Sequence, residues 1–433
     1  METKLQRITE LSSKDAKIEF TSLYHLLNKE LLMQCHKELD KRKAVGIDGI
    51  SKEMYGENLN ENLDNLVQRL KNKSYKPQVS LRIRIPKDNG KTRPLGIAVY
   101  EDKLVQLALK KIIEAVYESR FLECMHGFRP NRGSHTALKA LNQSIEKEYT
   151  NWVFEADVKG YFDHLNHEWI MKTVGVHIKD PNILRLIKKF LKAGIMEENV
   201  YYNTEEGAAQ GSNLSPLIAN IYMHYMLTLW FYKVFKQKCR GYSSITVYAD
   251  DFVGCFQYKG DADMFNKLLK ERLEMFGLEL EPSKTRLIEF GKYAEANRKK
   301  RNQGRPETFD FLGFTHYCSK SRKGWFRVKR KTSKKKYRVK VADFKNWIIR
   351  NRTLPLKIIM ERVNQKLRGH YQYYGITDNI KMLRRFYNET ENLLYKWLNR
   401  RSQRNSYNYE KFKMMLKYYP LEKPRIFVNI YDN

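Results

Sequence analysis

The sequence predicts an α+β fold in which antiparallel strands carry a chemical site and a basic helical segment follows. Three observations predict it. The first is Tyr248-Ala249-Asp250-Asp251, embedded in the apolar run Ser244–Phe256. Two carboxylates flanked on both sides by strand-forming residues read as a strand, a tight turn and a second strand. The second is the alternation of Ser80–Pro86, with Leu81, Ile83 and Ile85 set against Arg82 and Arg84. That is a half-buried strand with a basic outer face. The third is helical apolar spacing toward both ends, such as Leu23, Leu26, Leu27, Leu31 and Leu32 near the start.

Taken in order, residues 1–75 read as helical, interrupted by the turn-rich Val45-Gly46-Ile47-Asp48-Gly49. Asp88-Asn89-Gly90 after the first strand is a hairpin turn. Residues 101–118 return to helix, Trp152–Asp157 is a strand, and His167–Lys192 is largely helical. Asn213–Phe235 reads as one long buried helix, and Asp261–Phe276 as an amphipathic helix with Asp261 as its N-cap. Phe309–Phe314 is a short apolar strand pair. Lys334-Lys335-Lys336 reads as a solvated stretch inside the basic run Lys320–Lys345, and helices follow near 356–373, 378–399 and 408–418. The one clear composition shift lies near 318–335, which divides the chain into 1–318 and 319–433.

A chain of 433 residues that is 42% hydrophobic can bury a substantial core, so high charge does not mean disorder here. No apolar run reaches the ~18 residues of a membrane-spanning helix. The N-terminus lacks the apolar stretch of a signal peptide. The five cysteines, 35, 124, 239, 255 and 318, form no CxxC pair and no zinc spacing. Reduced thiols and a cytoplasmic location are the expectation. The formal net charge is +32, and residues 319–433 hold 31 Lys and Arg against 8 Asp and Glu. A field of that sign points to a polyanionic partner. Aromatic residues interleaved with the charges, Trp325, Tyr337, Trp347 and Tyr371 among them, suit stacking on bases beside phosphate contacts.

Two adjacent acids at a turn need a cation. Asp157, at the end of an apolar strand, reads alone as a capping residue and beside Asp250 and Asp251 as a third ligand. Three carboxylates at strand ends can hold two Mg²⁺ ions, which favour oxygen ligands and substrate phosphates. Such a pair activates an attacking hydroxyl and stabilises a leaving group. Phosphoryl transfer is the reaction class this implies.

An ordered set of motifs extends this reading. It runs Lys87 to Arg93-Pro94-Leu95-Gly96-Ile97, then Gly127-Phe128-Arg129-Pro130, Asp157 with Phe162-Asp163, and Gln210-Gly211-Ser212 with Ser215-Pro216. Tyr248-Ala249-Asp250-Asp251, Lys284 and Leu312-Gly313-Phe314 complete it. In this order they resemble a reverse transcriptase, and more narrowly a bacterial group II intron-encoded protein. Leu367–Gly375 and Tyr419–Ile426 resemble the maturase, or thumb, of that family. The resemblance covers essentially the whole chain.

The resemblance implies a right-hand polymerase with fingers, an antiparallel-sheet palm and a helical thumb. Fingers and palm would occupy 1–318 and the basic thumb 319–433. It implies an RNA-directed DNA polymerase that extends a primer 3′-OH with dNTPs and Mg²⁺. Its partners would be template RNA, a DNA or RNA primer and structured group II intron RNA. Members of the family often form homodimers. Asp157, Asp250 and Asp251 match the metal-binding acids, and Lys87 and Arg93 the grip on the incoming triphosphate. Phe162 matches a gate against the ribose 2′-OH and reads equally as a core phenylalanine. Gln210 and Gly211 match a nucleotide-contacting loop, in which Ser212 replaces the usual second glycine. Lys284 matches a general acid toward pyrophosphate and reads equally as a surface lysine. Leu312, Gly313 and Phe314 match the primer grip, and Arg129 would lie near the template. No zinc cluster or HNH-like block follows the thumb, so the expected form lacks the endonuclease. Two alternatives stay open: a maturase acting mainly by RNA binding, and a related enzyme recruited for DNA repair, phage defence or CRISPR spacer acquisition.

Overall fold

A computed structural model describes residues 2–86, 92–198, 200–401 and 407–431. Its eleven described strands, in chain order, are β1 Ser80–Pro86, β2 Thr92–Ile97, β3 Trp152–Asp157, β4 Ile195–Glu197, β5 Val200–Tyr202 and β6 Ser243–Tyr248, then β7 Asp251–Phe256, β8 Arg286–Glu289, β9 Phe309–Phe311, β10 Phe314–Lys320 and β11 Phe326–Thr332. The central sheet has the order β6-β7-β3-β8, and every pair in it is antiparallel. The α+β class and the antiparallel site-bearing sheet are as the sequence predicts.

Alternation along the central strands buries both faces of this sheet. Phe154, Ala156, Phe252 and Phe256 enter a core built with the N-terminal helices and the helix Lys259–Met275. Val153, Val253, Cys255 and Ile288 point the other way, into a core shared with Phe344, Leu367 and Leu394 of the C-terminal helices. A strand held from both sides cannot slip by one residue, because the slip would invert every side chain. β10 runs through residue 318, so the composition shift falls within a strand.

A second sheet, β2-β1-β4-β5, pairs β1 and β2 antiparallel from Leu81↔Ile97 to Pro86↔Thr92. The Asp88-Asn89-Gly90 turn that would join them lies outside the described residues. The hairpin β4–β5 has no counterpart in the sequence reading, because its strands are only three residues each. β9, β10 and β11 make the third sheet. The five cysteines are free, and no helix among the described residues is long and apolar enough to cross a membrane.

The N-terminal apolar stripe from Leu23 to Leu32 is buried as expected, but only Leu31 and Leu32 lie in an α-helix, Lys29–Glu38; Leu26 ends the single 3-10 turn Tyr24–Leu26, which Leu23 and Leu27 flank. Three further local readings need correction. Ser215–Met223 is a regular helix, but the rest of the expected long helix opens into wide turns at His224–Thr228 and Phe231–Phe235. Asp261 does not cap its helix, which begins at Lys259 after Tyr258; its buried carboxylate accepts from the amides of Arg240 and Gly241. Lys334-Lys335-Lys336 is no solvated coil but the first turn of the helix Lys334–Asn351.

That last helix forms because Phe344 and Ile348 recur at helical spacing among the lysines and are buried in the second core. Ser333 sets its start. The Ser333 hydroxyl accepts from the Lys336 amide, and its own amide donates to the Gly313 carbonyl at 2.9 Å. Ser333→Ala removes the side-chain cap. It is expected to lower the unfolding free energy by about 1 kcal/mol, measured as a lower urea midpoint with an unchanged m-value.

Candidate active site

Tyr248 pairs with Asp251 across β6 and β7, so Ala249 and Asp250 alone make the turn between them. Ala249 has φ of +57°, the left-handed region that a side chain disfavours. Asp157 ends β3 directly opposite Asp251. Directly paired residues share one face of a sheet, with Cβ atoms roughly 4.5–5.5 Å apart. The fold therefore brings the three sequence-predicted carboxylates to one place.

Their electrostatics follow from crowding. Burial, then the charges of Asp250 and Asp157, push the Asp251 carboxyl up to about 7, with Lys284 pulling it down. Asp251 keeps an open side toward solvent, so the crowding is that of a cleft floor rather than of an enclosed core. Asp250 is raised as well, first by burial and then by Asp157, while Arg93 and Lys284 oppose the shift. The Lys284 ammonium donates to Asp157. Among the described residues, no three His, Cys, Asp or Glu side chains close around a common point as ligands. The donor set is nonetheless all oxygen, and of its three acids only Asp157 has an ion-pair partner among the described residues, Lys284, which fits a hard divalent cation.

The floor under the turn comes from segment 124–127. Val247 donates to the Cys124 carbonyl at 2.8 Å, and His126 to that of Val247 at 2.9 Å. Gly127 then passes directly beneath the turn. A Cβ there would lie 2.5 Å from the Ala249 nitrogen. The Asn220 amide donates to the Gly127 carbonyl at 2.7 Å and holds the strip in place. Glycine is required by contact with backbone, which cannot yield as a flexible side chain would.

The fingers-like sheet reaches the site through one relay. Arg93 Nε donates to Gln210 Oε1 at 2.6 Å, and Gln210 Nε2 donates to Asp163 at 3.1 Å. The Gly96 amide donates to the Gln210 carbonyl at 2.6 Å. Gly211 has φ of +107°, and a Cβ on it would lie 2.6 Å from the Gly96 carbonyl oxygen. Ser212 is not among the residues with positive φ, and its hydroxyl accepts from the Leu214 amide at 3.1 Å. Serine in place of glycine therefore carries no backbone strain. Phe162 is 8% exposed and lines a cavity of about 270 Å³ together with Pro94, Gly96 and Gln210. Lys87 lies outside the described residues.

Other expected residues fall elsewhere. The Arg129 guanidinium points inward, paired with Glu118 at 2.8 Å and donating to the carbonyls of Leu122 and Met125. It braces the loop below the site, and its neighbour Phe128, 48% exposed, faces solvent instead. Leu312 and Gly313 form a two-residue turn between β9 and β10, both with positive φ. Phe314 is wholly buried in the second core, whereas Leu312 is half-buried and the Gly313 carbonyl is taken by the Ser333 amide. The Tyr373 hydroxyl donates to the Leu312 carbonyl at 2.9 Å. The charge of Asp251 acts on that same tyrosine. Tyr373 and Asn220 were not legible as site residues, since nothing in their local pattern separates them from core.

Residues 85–316 match the reverse transcriptase (RNA-dependent DNA polymerase) family, and residues 334–419 match the maturase-specific domain of group II introns. The first match covers more than half of the chain, which belongs to the reverse transcriptase family. Its sheets and helices are consistent with that family's fingers, palm and thumb. The group II intron-encoded protein LtrA of Lactococcus lactis subsp. cremoris is 39% identical over 224 residues, 51% of this chain and 37% of the relative. Protein YkfC of Escherichia coli is 36% identical over 182 residues, 41% of this chain and 48% of its own. An uncharacterized 91 kDa protein in the cob intron of Schizosaccharomyces pombe is 34% identical over 199 residues, 46% of this chain and 24% of its own. The chain thus spans less than half the length of each of these relatives. Reverse transcriptases generally use divalent metals, and both matched domains imply nucleic-acid partners.

Gly127→Ala tests the floor. The added methyl forces the turn away from its strip, and the expected cost is about 1–3 kcal/mol. Thermal unfolding of the variant beside wild type measures it; an unchanged midpoint would mean that the strip is free to move.

Proposed function

We propose that the chain is an RNA-directed DNA polymerase that also binds group II intron RNA as a splicing maturase. In this reading, fingers and palm occupy residues up to about 318 and the basic thumb follows. The observation that carries it is Asp157 paired opposite Asp251, with Asp250 at the adjoining turn. The matched maturase-specific domain supports the second activity.

Asp157, Asp250 and Asp251 would hold two Mg²⁺ ions, which supply activation of the primer 3′-OH and charge neutralisation at the leaving group. The rest is positioning by the chain's own side chains. Arg93, together with Lys87, would clamp the triphosphate oxygens of a dNTP. Its present hydrogen bond to Gln210 would be exchanged for phosphate, coupling nucleotide arrival to the loop at Gln210 and Gly211. Phe162, at the wall of the adjoining cavity, would crowd a ribose 2′-OH. Lys284 is kept protonated by its hydrogen bond to Asp157, which raises its pKa. It is the side chain from which a proton can pass to departing pyrophosphate. The backbone at Leu312 and Gly313 would seat the primer strand.

Primer extension on an RNA template tests the reading directly. Asp250→Asn with Asp251→Asn is expected to abolish extension while leaving duplex binding within a few-fold; retained extension would remove the site from these residues. The pH dependence of cation binding is a separate check. Asp251 titrates near 7 in the folded protein, above its ordinary value of 3.8. Below that pH a cation must displace a proton, so divalent affinity is expected to fall as pH drops from 8 to 6. The sign for stability is opposite to that of a salt-bridged acid. The buried charge destabilises the metal-free fold above about 7, and that penalty fades as pH falls toward 3.8. Calorimetric Mn²⁺ titration across this range measures the first effect, and Asp251→Asn should flatten it.

A further inference from the structure

The ribbon β10–β11 carries a feature that polymerisation does not use. Its far end is the turn Ser321–Trp325, where the Trp325 side chain is 71% exposed. Of the six tryptophans it is the one exposed to this degree. The turn fixes the backbone that carries it. The Ser321 amide donates to the Trp325 carbonyl at 2.8 Å, the Gly324 amide to the Ser321 carbonyl at 3.0 Å, and the Trp325 amide to the Ser321 hydroxyl at 3.2 Å. Gly324 supplies the positive φ of +82° that closes it.

The segment that bears the ring is basic: from Phe311 to Ala342 the sequence holds 12 Lys and Arg and no Asp or Glu, although Arg330 is buried and the cations from Lys334 on belong to the helix at the other end of the ribbon. Arg322 and Lys323, beside the ring, are exposed and have no carboxylate partner among the described residues. The outward face of the ribbon continues the pattern with the cross-strand pairs Tyr317↔Lys329 and Thr315↔Lys331. The inward face, with Phe314, His316, Val328 and Arg330, is buried. The ring is also remote from the carboxylates. The other end of β10 adjoins the Leu312-Gly313 turn, and its seven residues span about 23 Å at ~3.3 Å each.

We propose that Trp325, with Arg322 and Lys323, is a docking surface for folded RNA outside the polymerase cleft, on which an unpaired base of the RNA stacks. The proposal rests on the function argued above. An exposed flat ring next to two cations without carboxylate partners among the described residues fits a base with phosphates on either side. It does not fit a paired duplex, whose bases are already stacked. Folded RNA offers splayed bases in its loops and bulges.

The test uses full-length protein with its cleft filled by saturating primer–template duplex and dNTP. A labelled stem-loop RNA with an unpaired loop is then titrated against a blunt RNA duplex of equal length. Wild type is expected to prefer the stem-loop. Trp325→Ala should weaken stem-loop binding about 10-fold, while Trp325→Phe keeps most of it, and primer extension by both matches wild type. Equal stem-loop affinity in Trp325→Ala and wild type overturns the docking surface and leaves the polymerase reading intact. Competition by polyglutamate as strong as by stem-loop RNA would mark an acidic-protein site and overturn it also. A wild-type protein without primer extension would instead overturn the reading of function on which the surface rests.

Discussion

Three like charges held together at one end of a sheet are the constraint on which the rest of this structure depends. Asp157, Asp250 and Asp251 are crowded together: burial first, and then one another's charges, raise the Asp250 and Asp251 carboxyls. They stay together because β3 and β7 are fixed by apolar packing on both faces of their sheet. One core is made with the N-terminal part of the chain and the other with the C-terminal helices, so both flanks are needed to hold the acids in register. The repulsion that remains is what makes the place attractive to a divalent cation.

Around that centre the fold uses backbone contacts where side chains would be too compliant. Gly127 lies flat beneath the turn, Gly211 lies against Gly96, and Leu312-Gly313 turns the chain beside Tyr373. The polar relay from Arg93 through Gln210 to Asp163 is of another kind. Its members can exchange partners, so it is suited to a step in which a ligand arrives and the fingers shift. Rigid contacts thus lie under the carboxylates, and exchangeable ones face the side from which substrate would enter.

The basic C-terminal region divides in the same way. Its apolar stripe, Phe344 and Ile348 among lysines, belongs to the core that supports the catalytic sheet. Its charge remains outside. One segment therefore both braces the palm and presents a field for nucleic acid, and the lysine run there is helical because its apolar residues have a core to enter.

Much of the site was legible in the sequence. The turn at Ala249-Asp250, the strand ending in Asp157, the paired strands around Arg93 and the basic C-terminal helices follow from local pattern, because period, turn chemistry and charge are properties of neighbouring residues. What lay beyond reach depends on which segments meet. Arg129 could have faced solvent, and only the position of Glu118 and the nearby carbonyls turns it inward. Asp261 had the composition of a cap, yet the amides of Arg240 and Gly241 claimed its carboxylate. Lys334 to Lys336 resembled a solvated run until Ser333 and a buried stripe made it helix. By itself the sequence determined the chemistry on offer: three acids, a set of cations and a basic surface. The tertiary structure alone decided that Asp157 stands opposite Asp251 and that Gly127 lies against the Tyr248-Ala249 backbone, because register and close approach are set by packing between distant segments.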